Sequence, residues 1–325
     1  MNQITNEIST KTLTMKNYFS FDLTGKKFFP VWLAFYICYI VPYAFLIIKT
    51  KSDDSGISSP GIYLMSIAVV LVIAFLISFF IMKLVIEHFS YNNKPLVFNG
   101  KFGDFVGIVL AGILLTVITL GIYAAWFAKD LTQFFIDNSK YESNSLKFRG
   151  KGDKLFVILL LTIFLPIMAF AIITTVYLLK NSEQQISLTL TIIQQIVTLI
   201  IMIPYLYYIY KWAVNIGYKN YRITWETKFW NSCGKIALEM FLSVVTLGIY
   251  MPMASLKLYS YFIEKTIAKS PEARRRFGFE RDNVPDFLFI WGQTLLTIVT
   301  AGFYFPWSFS KIGSRLLGRT YLSVE

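Results

Sequence analysis

Residues that anchor metals or disulfides are nearly missing. The chain of 325 residues holds two cysteines, Cys38 and Cys233, and a single histidine, His88. Metal sites and disulfide frameworks need closely spaced Cys or His, so neither organises this fold. Charge is scarce too, at 15% of residues, against about 25% in a soluble domain. Acids are scarcer still, 19 against 31 lysines and arginines, for a net charge of +12. There is no nucleophile elbow and no phosphate-binding glycine loop. The chain therefore does not read as an enzyme, and no cofactor is implied.

Apolar residues fill the space. They make up 55% of the chain, and aromatics 18%, more than a soluble core of this size can hide. The stretches 32–48, 62–82, 155–179 and 186–210 are each long enough to cross a hydrocarbon core of about 30 Å. The fold class expected is mostly α, a polytopic membrane protein. The polar opening reads as a tail over 1–17, with no cleavable leader, and the first apolar run as an uncleaved anchor.

The chain repeats itself. Thr119–Tyr123 recurs unchanged as Thr246–Tyr250, and the same offset carries Phe21 onto Phe148, Gly25 onto Gly152, Tyr91 onto Tyr218 and Phe98 onto Trp225. A third, shorter copy places Thr300–Tyr304 after these. This divides the chain into 18–147 and 148–274, each of two hairpins, and a fifth half-repeat over 275–325. Five units thus begin near 18, 96, 146, 221 and 276. Each opens on a short alternating stretch, such as Tyr221–Glu226, which is the strand period. One strand-like segment per unit is expected on the cytoplasmic side, pairing into a small sheet with Phe21, Phe98, Phe148 and Trp225 on one face.

Charge sets the topology. If every unit is a hairpin, external loops hold only Lys49, Lys51 and Lys180, and the other 28 of the 31 basic residues stay inside or in the membrane. Both termini are then cytoplasmic. The positive charge reads as the orientation signal and an attraction to the bilayer, its anionic lipids included. It does not read as a nucleic-acid surface, which would need a soluble basic domain. The run Arg274–Arg276 is expected to face lipid phosphates or solvent, and His88 a membrane interface.

Polar residues inside apolar spans are the functional candidates, because burying them is costly. Glu239 and Lys257 flank the turn at Gly248 at matching depth, close enough to pair. The repeat equivalents are Gly112 with Asp130, and Gln293 with Lys311. Such pairs either fix helix register or line a polar path. Lys311, Arg315 and Arg319 share a helix face, and the last two are expected to snorkel to the surface. Gln194 and Gln195 are weaker candidates. In the turn motif, Gly121, Gly248 and Gly302 permit a tight turn, while Tyr123, Tyr250 and Tyr304 suit a membrane interface.

A Phe-x-Gly element before a membrane helix, then Thr-Leu-Gly-Ile-Tyr, Pro-Trp and a basic helix, resembles the YjgN-like family of bacterial inner-membrane proteins. The resemblance runs from about 96 onward and more weakly from 18. It departs at Ala124–Trp126, which lacks the proline, and at Met251–Met253, which lacks the tryptophan. That family is itself of unknown function, so the resemblance implies an inner-membrane location and no reaction. A small-solute transporter or channel is one functional reading; a structural or assembly protein of the envelope is the other. Neither solute nor protein partner is legible.

Overall fold

The computed structural model describes residues 16–52, 60–180 and 188–324. The tail expected over 1–17 lies outside the described residues up to position 15.

Every unit begins in a sheet and continues into paired helices. In unit one, β1 (Lys16–Phe21) leads to α1 (Gly25–Phe35), a π turn (Tyr36–Ile40) and α2 (Val41–Ser52), and then to α3 (Pro60–Glu87). Unit two holds β2 (Phe89–Tyr91), β3 (Lys94–Pro95), β4 (Val97–Phe98), α4 (Phe102–Ile118) and α5 (Ala124–Asp137). Unit three repeats the plan of unit one, with β5 (Ser139–Tyr141), β6 (Asn144–Phe148), α6 (Gly152–Leu159), a π turn (Leu160–Phe164), α7 (Leu165–Lys180) and α8 (Leu188–Ala213). Unit four has β7 (Ile216–Tyr218), β8 (Tyr221–Trp225), α9 (Phe229–Val245) and α10 (Met251–Glu264). Unit five has β9 (Thr266–Lys269), β10 (Arg274–Phe279), α11 (Asn283–Val299), α12 (Phe305–Leu317) and β11 (Thr320–Val324). Both π turns lie just before or around a helical proline, Pro42 and Pro166, whose missing N–H breaks the regular ladder.

Among the described residues, four helices are long and apolar enough to cross a membrane: Gly25–Ile48, Met65–Glu87, Gly152–Lys180 and Leu188–Ala213. They belong to units one and three. The helices of units two, four and five run only 13–17 residues. Side chains at the level of unit five's turn show where these short pairs end. Trp32 Nε1 donates to Gly302 O at 3.1 Å, and Tyr36 OH to Ala301 O at 3.0 Å. The turn therefore lies beside residues roughly 10–17 Å along the first long helix, which runs on to Ser52.

The units pack in a closed ring. α3 contacts α4, α5 contacts α6, α8 contacts α9, α10 contacts α11, and α12 returns to α1. Two of these seams use the same device. The backbone of Gly25 lies so close to Trp307 that a Cβ would come within 2.5 Å of its ring, and Gly152 meets Trp126 in the same way.

The strand expectation needs correcting. Instead of one segment per unit, eleven strands among the described residues form one antiparallel sheet in the order β3-β2-β1-β11-β10-β9-β8-β7-β6-β5-β4. The two edge strands, β3 and β4, are joined covalently through Leu96. Tyr91 of β2 and Tyr141 of β5, near opposite ends of that order, meet at 5.5 Å, and Tyr141 OH donates to Tyr91 O at 3.2 Å. The sheet thus curls into a barrel, a shape that hides strand edges. Phe21, Phe98, Phe148 and Trp225 are all buried, but each heads a separate cluster at the root of its own helices. Phe279, packed on Tyr259 at 5.1 Å, takes this position in unit five.

Candidate functional site

The turn motif ends its helix in an unusual way. Gly121 N–H donates to Thr116 O at 2.7 Å and Leu120 N–H to Val117 O at 3.1 Å, the crossed bonds of a Schellman cap. The left-handed residue is Leu120 at φ 50°, followed by Gly121 at φ 92°. Leu247–Gly248 and Ala301–Gly302 do the same. A leucine in that region costs about 1–2 kcal/mol, and Leu120 and Leu247 are 94% and 93% exposed. Exposed leucines at a strained tip suit lipid rather than water. Neighbours take up tip carbonyls, as Trp32 and Tyr36 do, and as Trp291 Nε1 does by donating to Ile249 O at 2.7 Å. Such capping is what a non-aqueous surrounding demands of backbone groups.

The motif tyrosine turns back along its own hairpin. Tyr250 OH donates to Glu239 Oε2 at 2.9 Å, and Lys257 Nζ donates to Tyr250 OH at 2.6 Å. Glu239 and Lys257 therefore share Tyr250 rather than a direct bond. Glu239, only 1% exposed, also accepts from Lys235 Nζ at 2.5 Å. Unit five repeats the relay: Tyr304 OH donates to Gln293 Oε1 at 3.2 Å and accepts from Lys311 Nζ at 2.9 Å. Unit two carries a reduced form. Gly112 supplies no side chain and packs on Phe127, Tyr123 OH reaches Asp130 Oδ2 at 3.4 Å, and Lys129 pairs with Asp130 at 2.9 Å.

A second polar level lies nearer the sheet, and sequence reasoning missed its centre. Asp286 is fully buried and accepts from Arg315 Nε at 2.7 Å and Arg319 Nη1 at 2.8 Å. Both arginines are thus held by a buried carboxylate, not snorkelling as expected. Counting back from Gly302 equally in both directions would have set Asp286 opposite 318, beside Arg319. The repeat offset maps Asp286 onto Ser232, whose hydroxyl forms a triangle with Thr227 at 2.7 Å and Tyr261 at 2.9 Å. In unit two the same position is Phe105, packed on Phe134. One level has thus become an ion pair, a hydroxyl cluster and an aromatic contact.

Other sequence candidates fall elsewhere. Gln194 and Gln195 are exposed on α8. His88 closes α3, with Nδ1 2.8 Å from Leu84 O and Nε2 3.3 Å from Lys27 Nζ. Arg274 and Arg276 point outward, but Arg275 between them faces the barrel interior, against expectation, because neighbours on a strand face opposite ways.

Where sheet and helices meet, a cavity of about 540 Å³ opens between α6 and α8. Lys151, Lys154, Lys211 and Arg222 line it, with Asp153 as the one acid. That acid accepts from Trp126 Nε1 at 3.0 Å. Trp225 also lines the cavity, and its buried indole N–H has no partner among the described residues. None of the cavities described reaches Glu239 or Lys257; one of about 450 Å³ reaches their unit-two counterparts, Gly112 and Asp130.

A family described as a bacterial protein of unknown function (DUF898) matches residues 93–287. An inner membrane protein YjgN of Salmonella typhimurium is 34% identical over 92 residues, which are 28% of this chain and 23% of that protein. The matched stretch is therefore under a quarter of the relative's length. No solved structure matches.

Proposed function

The chain belongs to this bacterial family of unknown function, and on that premise we propose that it is a multi-pass inner-membrane protein that holds anionic phospholipid of the cytoplasmic leaflet. In this reading the long helix pairs of units one and three cross the bilayer, while the short pairs of units two, four and five enter one leaflet and turn back. Two findings support that insertion: the unit-five tip lodged beside Trp32 and Tyr36, and the tip leucines of units two and four, Leu120 and Leu247, left exposed. The sheet sits in the cytoplasm, because the basic residues gather on its side.

The single observation that carries the lipid reading is the cavity between α6 and α8. Four cations against one already engaged acid form an electropositive cleft, which suits an anionic headgroup. Lysine ammonium and arginine guanidinium groups suit a phosphate. The test is lipid retention by native mass spectrometry after exchange into nanodiscs of phosphatidylcholine doped with phosphatidylglycerol. Retention of phosphatidylglycerol that is lost in Lys151→Gln/Lys154→Gln/Arg222→Gln supports the reading. Equal retention in both proteins overturns it.

A second reading, passage of a small solute, rests on the relays repeated in units four and five. Glu239→Gln with Lys257→Met separates the two. A folded double variant that fails to complement a deletion strain favours a path, while full complementation makes the relay a fastener. A stable protein partner recovered on gentle solubilisation would favour an envelope assembly role instead.

A further inference from the structure

The barrel is hollow. A cavity of about 380 Å³ runs inside it, lined by Phe19, Tyr91, Tyr141, Tyr218, Ile223 and Phe277 among other inward-facing residues. That volume lies within the range of small-ligand pockets. Strand β8 divides it from the lipid cavity: Tyr221 and Ile223 face inward, Arg222 and Thr224 outward. The ends of α8 and α10 add Tyr210, Val214 and Ile263.

One charge interrupts this apolar lining. Arg275 faces the cavity with its guanidinium over the Tyr221 ring at 4.7 Å, and its buried Nε has no partner among the described residues. No carboxylate is among the described lining residues. Nor does a phenolate supply the charge, since burial pushes the Tyr141 phenol up to about 12. On the outer face, by contrast, Arg274 pairs with Glu226 at 3.5 Å. A guanidinium with no counter-ion among the described residues is costly in apolar surroundings unless something else supplies one.

We propose that the barrel binds a monoanionic amphiphile, an acyl carboxylate whose head pairs with Arg275 and whose chain lies among the aromatic rings. Aromatic walls accept a chain without a directional partner, and the guanidinium fork fixes the head. This site is separate from the lipid cavity and stands without it.

The probe is octanoate, with octanol as its uncharged counterpart, titrated by saturation-transfer NMR against the full chain in phosphatidylcholine nanodiscs. Octanoate is expected to bind the wild type and to weaken about ten- to hundredfold in Arg275→Gln, the loss of one charge-assisted hydrogen bond. Octanol should bind both proteins alike. Ala268→Leu, which narrows the cavity, should weaken both probes. Equal octanoate affinity in the wild type and a folded Arg275→Gln overturns the proposal. If that variant does not fold, unchanged octanoate binding in Ala268→Leu does so, since it marks partition into the bilayer.

Discussion

The Tyr250 hydroxyl donates to Glu239 at 2.9 Å from the far side of a helical turn, so the repeated turn motif is also part of the charged network it joins. Lys257 reaches the same hydroxyl at 2.6 Å and Lys235 the same carboxylate at 2.5 Å. Two cations thus share one buried acid, Lys235 directly and Lys257 through the phenol.

Removing the acid should hurt more than neutralising it. Unit five already carries Gln293 at this position, accepting from Tyr304 at 3.2 Å, so Glu239→Gln is expected to cost about 1 kcal/mol. Glu239→Leu leaves Lys235 and Tyr250 without their acceptor, and about 3 kcal/mol is expected. Unfolding of the purified variants in mixed micelles by a denaturing detergent checks the order. A leucine variant as stable as the glutamine one contradicts it.

Asp286 should be the less replaceable of the two acids. It is fully buried with two arginines. Asp286→Ala should cost about 3–5 kcal/mol, and adding Arg315→Met and Arg319→Met should recover much of it. A thermal shift series on the three variants reads the result. No loss in the single variant would mean that both arginines relax to water.

Cysteine labelling tests the topology. In a Cys38→Ser/Cys233→Ser background, Asn144→Cys on the sheet should resist an impermeant reagent added to intact cells. Lys180→Cys, exposed at the far end of α7, should react. A spin label at the Leu247 tip should show the oxygen accessibility of a bilayer interior. Labelling of Asn144→Cys from outside would end this orientation.

The barrel seam should loosen in acid. Glu142 is held below its ordinary value of 4.5, chiefly by the hydrogen bond from Lys94, with Lys219 also near. A depressed carboxylate contributes above its unfolded value and loses that contribution as the pH falls through its folded one. Amide exchange over Tyr91–Leu96, compared with the base-line rate, should therefore accelerate below about pH 4.5, and Glu142→Gln should show the faster exchange already at neutral pH. Unaltered protection in that variant would leave the seam to the Tyr91–Tyr141 contact alone.

What the chain determines locally was legible in it. Membrane-length helices follow from apolar runs, because a helix satisfies its own backbone in lipid. The turns follow from Gly121, Gly248 and Gly302, and the depth of Glu239 and Lys257 from equal spacing about Gly248. Tertiary structure alone decided the rest, since each case depends on contacts between residues far apart in sequence. Alternation marked strands at Tyr221–Trp225 but carried no pairing order, so the meeting of Tyr91 with Tyr141 and the inward turn of Arg275 were not readable. Nor was the position of unit five's turn along the first long helix, which Trp32 and Tyr36 show by their bonds to Gly302 and Ala301. The partners of Tyr250 were not readable either, since the direction of its side chain is set by the helix packed against it.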